Sequence, residues 1–399
     1  METLIEYQNN LLENIKGNFF RFLYQVIPWN QRMIAIKGLR GSGKTTLILQ
    51  HLKFGTEDPA ISLYVTADHP WFYTNTLLDL ADQWYKHGGR ILYIDEVHKY
   101  KNWSRELKNI YDGYPKMKIV FTASSALDIY RGESDLSRRV LSYNLPGMSV
   151  REYIELVHSI KLPRITLEDI LANHSGIAFD INKQLEAPLR LFKQYLISGY
   201  LPFTLENKEA DYLTRLFQVI DTSISFDLAF IKDYSSTHAA KIKKLLGVIA
   251  ESAPFEPNIT SLAQKLNLGR DTINSFLQHL QSAHLLNLIN RPTNGVAALQ
   301  KPDKIYLENT NLSYALKPNP DIGTIRETFL LNQLKNAGHE VEYATKGDFL
   351  VDRKYTIEIG GPGKSAKQIE GIKDSYIAAD EITTGFGNKI PLWIFGLMY

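Results

Sequence analysis

The stretch "GLRGSGKTTL", which begins at Gly38, lies between the apolar run "RMIAI" and the apolar run "ILQHL". Gly38, Gly41 and Gly43 leave the backbone free to curl, so that successive N–H groups can point at an anion. A following helix would add its own unpaired N–H groups and the positive end of its dipole. Lys44 supplies a mobile cation, and the Thr45 hydroxyl can ligate magnesium. The complete GxxxxGK[ST] spacing predicts a nucleotide phosphate site, whose expected binding residues are Gly38, Gly41, Ser42, Gly43, Lys44, Thr45 and Thr46.

Two acidic residues follow a second apolar run, in "ILYIDEVH". Hydrolysis of a phosphoanhydride needs a carboxylate that organises magnesium and a group that orients water. We expect Asp95 to hold Mg²⁺ together with Thr45, and Glu96 to polarise the attacking water. A strand that simply ends in solvated acids is the alternative. No NKxD guanine-reading motif is present, which favours ATP over GTP.

The next apolar run, "KIVFTASS", ends in hydroxyl side chains. Thr122 or Ser124 could sense the γ-phosphate, and Ser124 is included among the expected nucleotide-binding residues. Farther along, "ESDLSRRV" places Arg138 and Arg139 in a predicted loop, where an arginine could stabilise transition-state charge in cis or from a neighbouring subunit. A solvated basic pair is the alternative for these two arginines.

These residues lie where strands and helices are predicted to alternate. Short β-branched runs ("MIAI", "ISLYV", "ILYI", "KIVF" and "RVLSYNL") are separated by helical patterns, which predicts an α/β fold with a parallel sheet covered by helices. Because "ISLYV" intervenes between the phosphate loop and the acidic strand, we expect an extra strand between those two in the sheet. That order is typical of ATPases with an additional catalytic glutamate, and not of kinases or small GTPases.

The rest of the chain divides by its patterns. A helical region is followed by three short helices with a strand pair about "NLINRP" and "ALQKP", which would complete a winged helix, and then by a second mixed α/β region. The expected domains are an N-terminal helix (1–30), a P-loop ATPase core (31–147), a helical region (148–236), a winged helix (237–300) and a mixed α/β domain (301–399).

Composition excludes several classes of protein. The 399 residues carry a formal net charge of +2, too small to indicate a nucleic-acid binder without a local basic surface. The absence of cysteine excludes disulfides and thiolate metal sites and fits a reducing cytoplasm, which is the expected location. No apolar run approaches the roughly eighteen residues of a membrane span, and the start "METLIEYQNN" lacks the apolar core of a signal peptide.

Four stretches together resemble the bacterial and archaeal AAA-type ATPases that carry a C-terminal domain of unknown function. They are "KGLRGSGKTT", "LYIDEVHKYKNWSRELKNIYD", "IVFTASSALDIYRGESDLSRRVLSYNLPGMSVREY" and "YLISGYLP". The resemblance implies ATP, Mg²⁺, a helical lid over 148–236, a winged helix and a C-terminal restriction-endonuclease-like fold. Family members show Thr-Gly-Ser where this chain has Thr122-Ala123-Ser124, and Gly-Arg where it has Arg138-Arg139, which favours Arg139 as the arginine finger or sensor.

The implied C-terminal fold cuts DNA with a helix glutamate, a strand acid and a Glu-x-Lys on the next strand. Glu327, Asp348 and Glu358 match the three acids. Gly360 stands where lysine is expected, and Lys364 lies out of register unless the loop folds back. We therefore expect a residual acidic pocket that binds metal at most, without efficient DNA cleavage.

Several functions remain open at this point. "DEVH" also resembles the DExH box of helicases, but nothing after residue 150 supplies a second motor domain, which excludes that class. The predicted recognition helix, 270–281, offers Arg270 as its single cation, with a local basic face available from Lys241, Lys243, Lys244 and Lys265. The protein is then a DNA-associated switch or remodeller, or an ATPase whose C-terminal half binds a protein partner in a defence or regulatory complex. Assembly into a homo-oligomer is compatible with both.

Overall fold

The computed structural model describes residues 1–56, 58–123, 136, 138–206, 208–228, 235–252, 254, 257–292 and 302–399. The chain forms two compact units, Met1–Pro146 and Gly147–Tyr399.

The first unit alternates helices with parallel strands. Its helices are α1 (Glu2–Glu13), α2 (Leu23–Val26), α3 (Lys44–Gln50), α4 (Leu77–Lys86) and α5 (Trp103–Gly113). Its strands are β1 (Met33–Lys37), β2 (Ser62–Thr66), β3 (Ile91–Asp95), β4 (Lys118–Ala123) and β5 (Leu141–Asn144).

These strands form one five-stranded sheet in the order β2-β3-β4-β1-β5, with every pair parallel. The α/β fold expected from the sequence is confirmed. An extra strand does separate β1 from β3, and it is β4, whereas β2, the "ISLYV" strand, lies at the edge. Because all strands run the same way, the residues that follow their carboxyl ends meet at one edge of the sheet.

Strands β1 to β4 are buried on both faces, as a parallel sheet covered by helices requires, whereas the edge strand β5 is mostly exposed. Successive side chains of β1 point to opposite sides. Met33 and Ala35 pack in one apolar cluster, and Ile34 and Ile36 pack in the other. This double burial explains why the strands read as continuous apolar runs.

The second unit is helical at first and ends in a mixed sheet. Its helices are α6 (Val150–His158), α7 (Leu167–Asn182), α8 (Pro188–Ser198), α9 (Glu209–Thr222), α10 (Ser236–Ser252), α11 (Ile259–Leu266), α12 (Arg270–Ser282), α13 (Thr310–Leu316) and α14 (Ile322–Asn336). Its strands are β6 (Leu286–Ile289), β7 (Lys304–Leu307), β8 (Val341–Tyr343), β9 (Phe349–Val351), β10 (Tyr355–Gly360), β11 (Ser375–Ala379) and β12 (Lys389–Pro391).

The described residues of this unit form two sheets. Strands β6 and β7 pair antiparallel, so the partner of "NLIN" is "KIYL", while residues 298–301 of the expected "ALQKP" strand lie outside the described residues. The larger sheet has the order β12-β11-β10-β9-β8, antiparallel from β8 to β10 and parallel from β10 to β12. Among the described residues, no helix has the length and apolarity needed to cross a bilayer.

Candidate functional site

The loop between β1 and α3 has the backbone that its glycines predicted. Gly38, Gly41 and Gly43 all have positive φ, at 150°, 83° and 94°. A Cβ on Gly38 would lie 2.3 Å from the carbonyl oxygen of Leu145, so a side chain is excluded there. Gly43 is the N-cap of α3, and the loop therefore delivers its backbone directly to the amino end of that helix.

Lys44 lies in the first turn of α3 and folds back over the loop. Its Nζ donates hydrogen bonds to the carbonyl oxygens of Gly38 at 2.9 Å and Leu39 at 3.0 Å. An ammonium held by two neutral carbonyls is well placed to exchange them for phosphate oxygens, which bind it more strongly.

Arg21 supports this loop and was not identified from the sequence. It is buried, and it donates to the carbonyl oxygens of Ser42 and of Pro146, the latter at 2.8 Å. Its only signal in the sequence is an arginine inside the apolar stretch "FFRFLYQVI", which does not reveal its partner.

Asp95 ends β3 and collects hydroxyl groups from three other elements. Thr45 Oγ1 on α3 donates to Oδ2 at 2.7 Å, and Tyr64 on β2 donates to the same oxygen at 3.0 Å. Thr122 on β4 donates to Oδ1. Burial, followed by the neighbouring Asp95 carboxylate, raises the pKa of Tyr64, so this phenol acts as a neutral donor. Tyr64 was not foreseen, because its role depends on β2 lying beside β3.

Glu96 follows Asp95 in the left-handed region, with φ 49° and ψ 41°. Its N–H donates to Thr122 Oγ1 at 2.9 Å, and its carboxylate forms an ion pair with Lys99, which also contacts Asp68 at 2.5 Å. Burial raises the pKa of Glu96, but the hydrogen bond and charge of Lys99 outweigh it and hold the pKa below its ordinary value. Glu96 is therefore a carboxylate in a strained backbone position, which is common in functional sites.

The oxygen atoms gathered here fit a magnesium nucleotide. A threonine hydroxyl and a carboxylate are hard ligands of the kind Mg²⁺ prefers, and it commonly needs only one or two protein groups beside phosphate oxygens and water. Thr45 and Asp95 could hold the ion, since their side-chain oxygens already lie 2.7 Å apart, with the threonine hydroxyl donating to the carboxylate.

Arg139 lies at the amino ends of the strands of this sheet, and the phosphate loop lies at their carboxyl ends. It precedes β5, whose first residue, Leu141, pairs with Ile34 near the start of β1. Its guanidinium makes two hydrogen bonds of 2.9 Å to the carboxylate of Asp112. Arg139 precedes the amino end of β5, whereas the phosphate loop with Lys44 follows the carboxyl end of β1. Ser124 lies outside the described residues.

The second unit carries the predicted recognition helix as α12. Ile273, Phe276, Leu277 and Leu280 bury one face, while Arg270 and Gln278 are exposed. Of the expected basic face, Lys244 and Lys265 are exposed, whereas Lys243 forms an ion pair with Asp221. The cations available to an anionic partner are therefore fewer than the sequence suggests.

The three predicted acids of the C-terminal region do come together. Tyr306 donates to Glu327 Oε2 at 2.6 Å, and the N–H of Ile359 donates to Asp348 Oδ2 at 2.7 Å. Burial raises the pKa of Glu327, Asp348 and Glu358, and charge repulsion among the three carboxylates adds to the rise for Glu327 and Glu358.

Lys364 reaches the same cluster because its loop folds back. Residues 361–364, "GPGK", form a β-turn closed by a 3.1 Å hydrogen bond from the Lys364 N–H to the Gly361 carbonyl. The Lys364 ammonium forms an ion pair with Glu358. The sequence left Lys364 out of register with Glu358 unless the loop folds back, and this turn folds it back.

Comparison with known proteins finds a described family for most of the first unit. Residues 30–154 match the family model described as AAA domain, and residues 189–322 match a domain of unknown function (DUF8612). The first match lies over the five-stranded parallel sheet of the first unit, so that unit is similar to AAA domains. The chain is also 28% identical over 368 residues to an uncharacterized protein of Methanocaldococcus jannaschii, covering 85% of this chain and 77% of that protein.

Solved structures show more distant likenesses. The Walker-type ATPase of Pyrococcus abyssi has a TM-score of 0.45 and 12% identity, with 76% of this chain and 99% of that chain covered. The Aeropyrum pernix ORC1 protein in complex with DNA has a TM-score of 0.29 and 11% identity, with 78% and 91% covered. AMPPCP-bound DnaA from Aquifex aeolicus has a TM-score of 0.27 and 16% identity, with 68% and 90% covered.

Proposed function

We propose that the first unit binds MgATP and hydrolyses it, and that the second unit couples this cycle to DNA. The observation that carries the ATPase proposal is the 2.7 Å hydrogen bond between Thr45 of the phosphate loop and Asp95 at the end of β3. It joins the two groups that a magnesium nucleotide needs, and Glu96 follows in the next position.

The loop residues bind the phosphates. Gly38, Gly41, Ser42 and Gly43 present backbone N–H groups, and Lys44 transfers its ammonium from the loop carbonyls to the outer phosphates. Thr46 adds a backbone N–H of the first helical turn, and Ser124, outside the described residues, stays a proposed nucleotide-binding residue on its sequence position.

Glu96 orients the attacking water and accepts its proton. The water oxygen bonds to the γ-phosphorus while the bond to the β–γ bridging oxygen breaks, which gives ADP and phosphate. Mg²⁺ held by Thr45 and Asp95 neutralises phosphate charge when it is bound. Lys99 forms an ion pair with the Glu96 carboxylate and so competes with the attacking water for it. Turnover is therefore slow until another group, for example one of a partner, draws Lys99 away.

Arg139 serves a neighbouring subunit. Its position at the far edge of the sheet from Lys44 argues against action on the nucleotide of its own chain. In a homo-oligomer the same residue could face the next subunit's γ-phosphate, in exchange for its pairing with Asp112.

DNA contact is proposed for the three helices α10, α11 and α12, read with the β6–β7 pair as a winged helix. Exposed Arg270 begins α12, and the exposed Lys244 and Lys265 lie on the two preceding helices. These cations favour phosphate contacts over base readout. A protein partner for this half of the chain is the competing proposal.

We propose the following organisation of the chain. The first thirty residues form a lead segment that contains a helix, and residues 148–236 form a helical lid. Residues 301–399 form a restriction-endonuclease-like domain. The protein is cytoplasmic.

Steady-state ATP hydrolysis tests the central proposal. The parent protein is expected to release phosphate only with Mg²⁺ present, and Lys44→Ala to abolish nucleotide binding. Lys53→Ala, a lysine just beyond the end of α3 that donates to main-chain carbonyls of residues 12 and 15, is the matched control. Equal hydrolysis by Lys44→Ala and the parent would remove the basis of the proposal.

A further inference from the structure

A cavity of about 250 Å³, here called the amino-end cavity, opens in the first unit at the amino ends of β2, β3 and β4. Its described lining residues all lie between Trp29 and Lys118, and none belongs to the phosphate loop at the carboxyl end of β1. Sites for small molecules commonly have volumes of about 300–1,000 Å³, so this cavity suits a ligand at the small end of that range.

Positive charge dominates the walls of the amino-end cavity. Among the described residues that line it, Asp58 is the only acid, and its Oδ1 accepts the N–H of Ala60 at 2.9 Å. The cations are Arg90, Lys116 and Lys118. Neither lysine forms an ion pair with a carboxylate that the structure describes. A cleft lined mainly by one sign of charge attracts the opposite ion, and a dianion would balance the excess of two positive charges here.

Arg90 is held in position by groups that leave its charge unbalanced. Its guanidinium carbon lies 4.4 Å from the centroid of the Tyr85 ring. Its Nη1 donates to the carbonyl oxygens of Gly89 at 2.6 Å and of Tyr85 at 3.3 Å. Its Nε and Nη2 make no hydrogen bond to a residue that the structure describes. These N–H groups can therefore donate to phosphate oxygens without breaking the contacts that hold the side chain.

One wall of the cavity is aromatic and uncharged. Trp29 stacks on His51, with ring centroids 3.8 Å apart and an angle of 12° between the ring planes. The hydroxyl of Tyr93 lies 2.7 Å from His51 Nδ1. Burial, followed by the charge of Lys118, lowers the pKa of His51 to about 4, so the imidazole is neutral near neutral pH. A ligand that carries an apolar group beside its negative charge fits this combination of walls.

The same wall includes an irregular turn that the proposed ATP cycle does not use. His51–Gly55 form a π-helical turn that continues α3, and both His51 and Gly55 line the cavity. A Cβ on Gly55 would lie 2.5 Å from Tyr24 Oη and 2.7 Å from His51 Cδ2, so glycine is required there. A π-helical turn is a rare structure that occurs frequently at functional sites. It is a feature independent of the charges that also points to a ligand.

We propose that the amino-end cavity is a second ligand site, which binds a small organic phosphate. The phosphomonoester dianion lies among Arg90, Lys116 and Lys118, and the organic group packs against Trp29. A carboxylate would balance only one of the two excess positive charges, and a neutral ligand would balance neither. The proposal goes beyond ATP hydrolysis and DNA contact, and it uses no residue of either proposed site.

Calorimetric titration of the full chain, without nucleotide or Mg²⁺, tests the class of ligand. Phenyl phosphate is the probe, and it is a dianion at about pH 8 because the second pKa of a phosphomonoester is about 6. Benzoate keeps the ring with a single charge, and inorganic phosphate keeps the charge without the ring. Phenyl phosphate is expected to bind about 10-fold or more tightly than either. No binding of phenyl phosphate overturns the proposal, and so does equally tight binding of benzoate or of inorganic phosphate.

Replacement of Lys118, the half-buried first residue of β4, tests the place of binding. Lys118→Gln is expected to weaken phenyl phosphate binding about 10-fold or more, because a charge-assisted hydrogen bond is lost. Lys118→Arg keeps the charge and is expected to bind like the parent. Lys101→Gln removes an exposed lysine beyond the carboxyl end of β3 and is the matched control. Urea unfolding verifies the fold of each variant, and Lys116→Gln, at an exposed position, gives the same test if Lys118→Gln does not fold.

Equal affinity of the folded Lys118 or Lys116 variant and of Lys101→Gln contradicts the site. Lys44→Ala, which disables the proposed ATP site, is expected to bind phenyl phosphate as the parent does, because Lys44 does not line the cavity. Loss of that binding in Lys44→Ala would place the probe in the phosphate loop and overturn the proposal. A parent that binds phenyl phosphate without hydrolysing ATP would refute the ATPase proposal alone, so the two failures are distinguishable.

Discussion

The hydroxyl of Thr122 accepts the backbone N–H of Glu96 at 2.9 Å, from one strand to the end of its neighbour. The same hydroxyl donates to Asp95. One side chain on β4 thus fixes the backbone of the proposed water-orienting residue and the carboxylate of the proposed magnesium ligand. The sequence offered Thr122 as a sensor of the γ-phosphate, and its contacts favour a positioning role.

Replacing Thr122 by valine is expected to lower kcat for ATP more than it raises KM. The change leaves a buried N–H and a carboxylate oxygen without a partner, at a cost of about 1–3 kcal/mol in the free energy of unfolding. Thr122→Ser keeps the hydroxyl and is the control. ATP hydrolysis and urea unfolding of the three proteins check this, and a valine variant with parental kcat would exclude the positioning role.

Replacing Lys99 by methionine is expected to move the acid limb of the kcat profile to higher pH. Burial raises the pKa of Glu96, and Lys99 opposes burial more strongly than Arg40 or His98 does, so removing Lys99 raises that pKa. Activity that needs the carboxylate is lost as the pH falls through this pKa, so loss begins at a higher pH in the variant. Lys101→Met, two residues away and exposed, is the control. An unmoved limb would show that Glu96 is not the group being titrated.

Mixing two inactive variants tests the role of Arg139. If Arg139 acts on the next subunit's nucleotide, Arg139→Ala combined with Glu96→Gln is expected to recover part of the parental activity, because mixed interfaces contain one intact site. Asp112→Ala frees Arg139 from its bidentate partner and is expected to keep activity. Oligomerisation of both variants is verified by light scattering, and assembled mixtures that stay inactive would contradict action in trans.

DNA binding is expected to weaken with salt, and its slope reports the phosphate contacts. Arg270→Ala and Lys265→Ala should each reduce the slope of log K against log salt by about 1, since each cation releases roughly one counterion. Lys243→Ala, whose lysine pairs with Asp221, is expected to leave the slope unchanged. DNA binding that does not depend on salt would favour the protein-partner proposal, and so would the absence of any DNA binding.

Local pattern was enough to predict the parallel sheet and the phosphate loop. Buried parallel strands read as continuous apolar runs, and the positive φ values of Gly38, Gly41 and Gly43 are a property of single residues. The contacts that could not be predicted depend on which segments of the chain become neighbours in the fold. Tyr64 and Arg21 contact the site only because the chain folds β2 beside β3 and the lead segment beside the phosphate loop.

The C-terminal region shows the same limit. The tail "PLWIFGLMY", which reads as a buried final strand, is buried, but Leu392–Leu397 form a 3₁₀-helix after the three-residue strand β12. A short apolar run predicts burial without fixing its period. Lys364 is the converse case, because sequence spacing placed it too far from Glu358 and a four-residue turn returned it.

Nucleotide occupancy and turnover of Glu96→Gln test the account most directly. The variant removes one negative charge without changing shape, so it is expected to bind ATP with Mg²⁺ at least as tightly as the parent, by fluorescence of a labelled ATP. Phosphate release should fall by about 10²-fold or more, as expected for loss of a general base. A Glu96→Gln protein that hydrolyses ATP at the parental rate would contradict the assignment of Glu96 and the mechanism built on it.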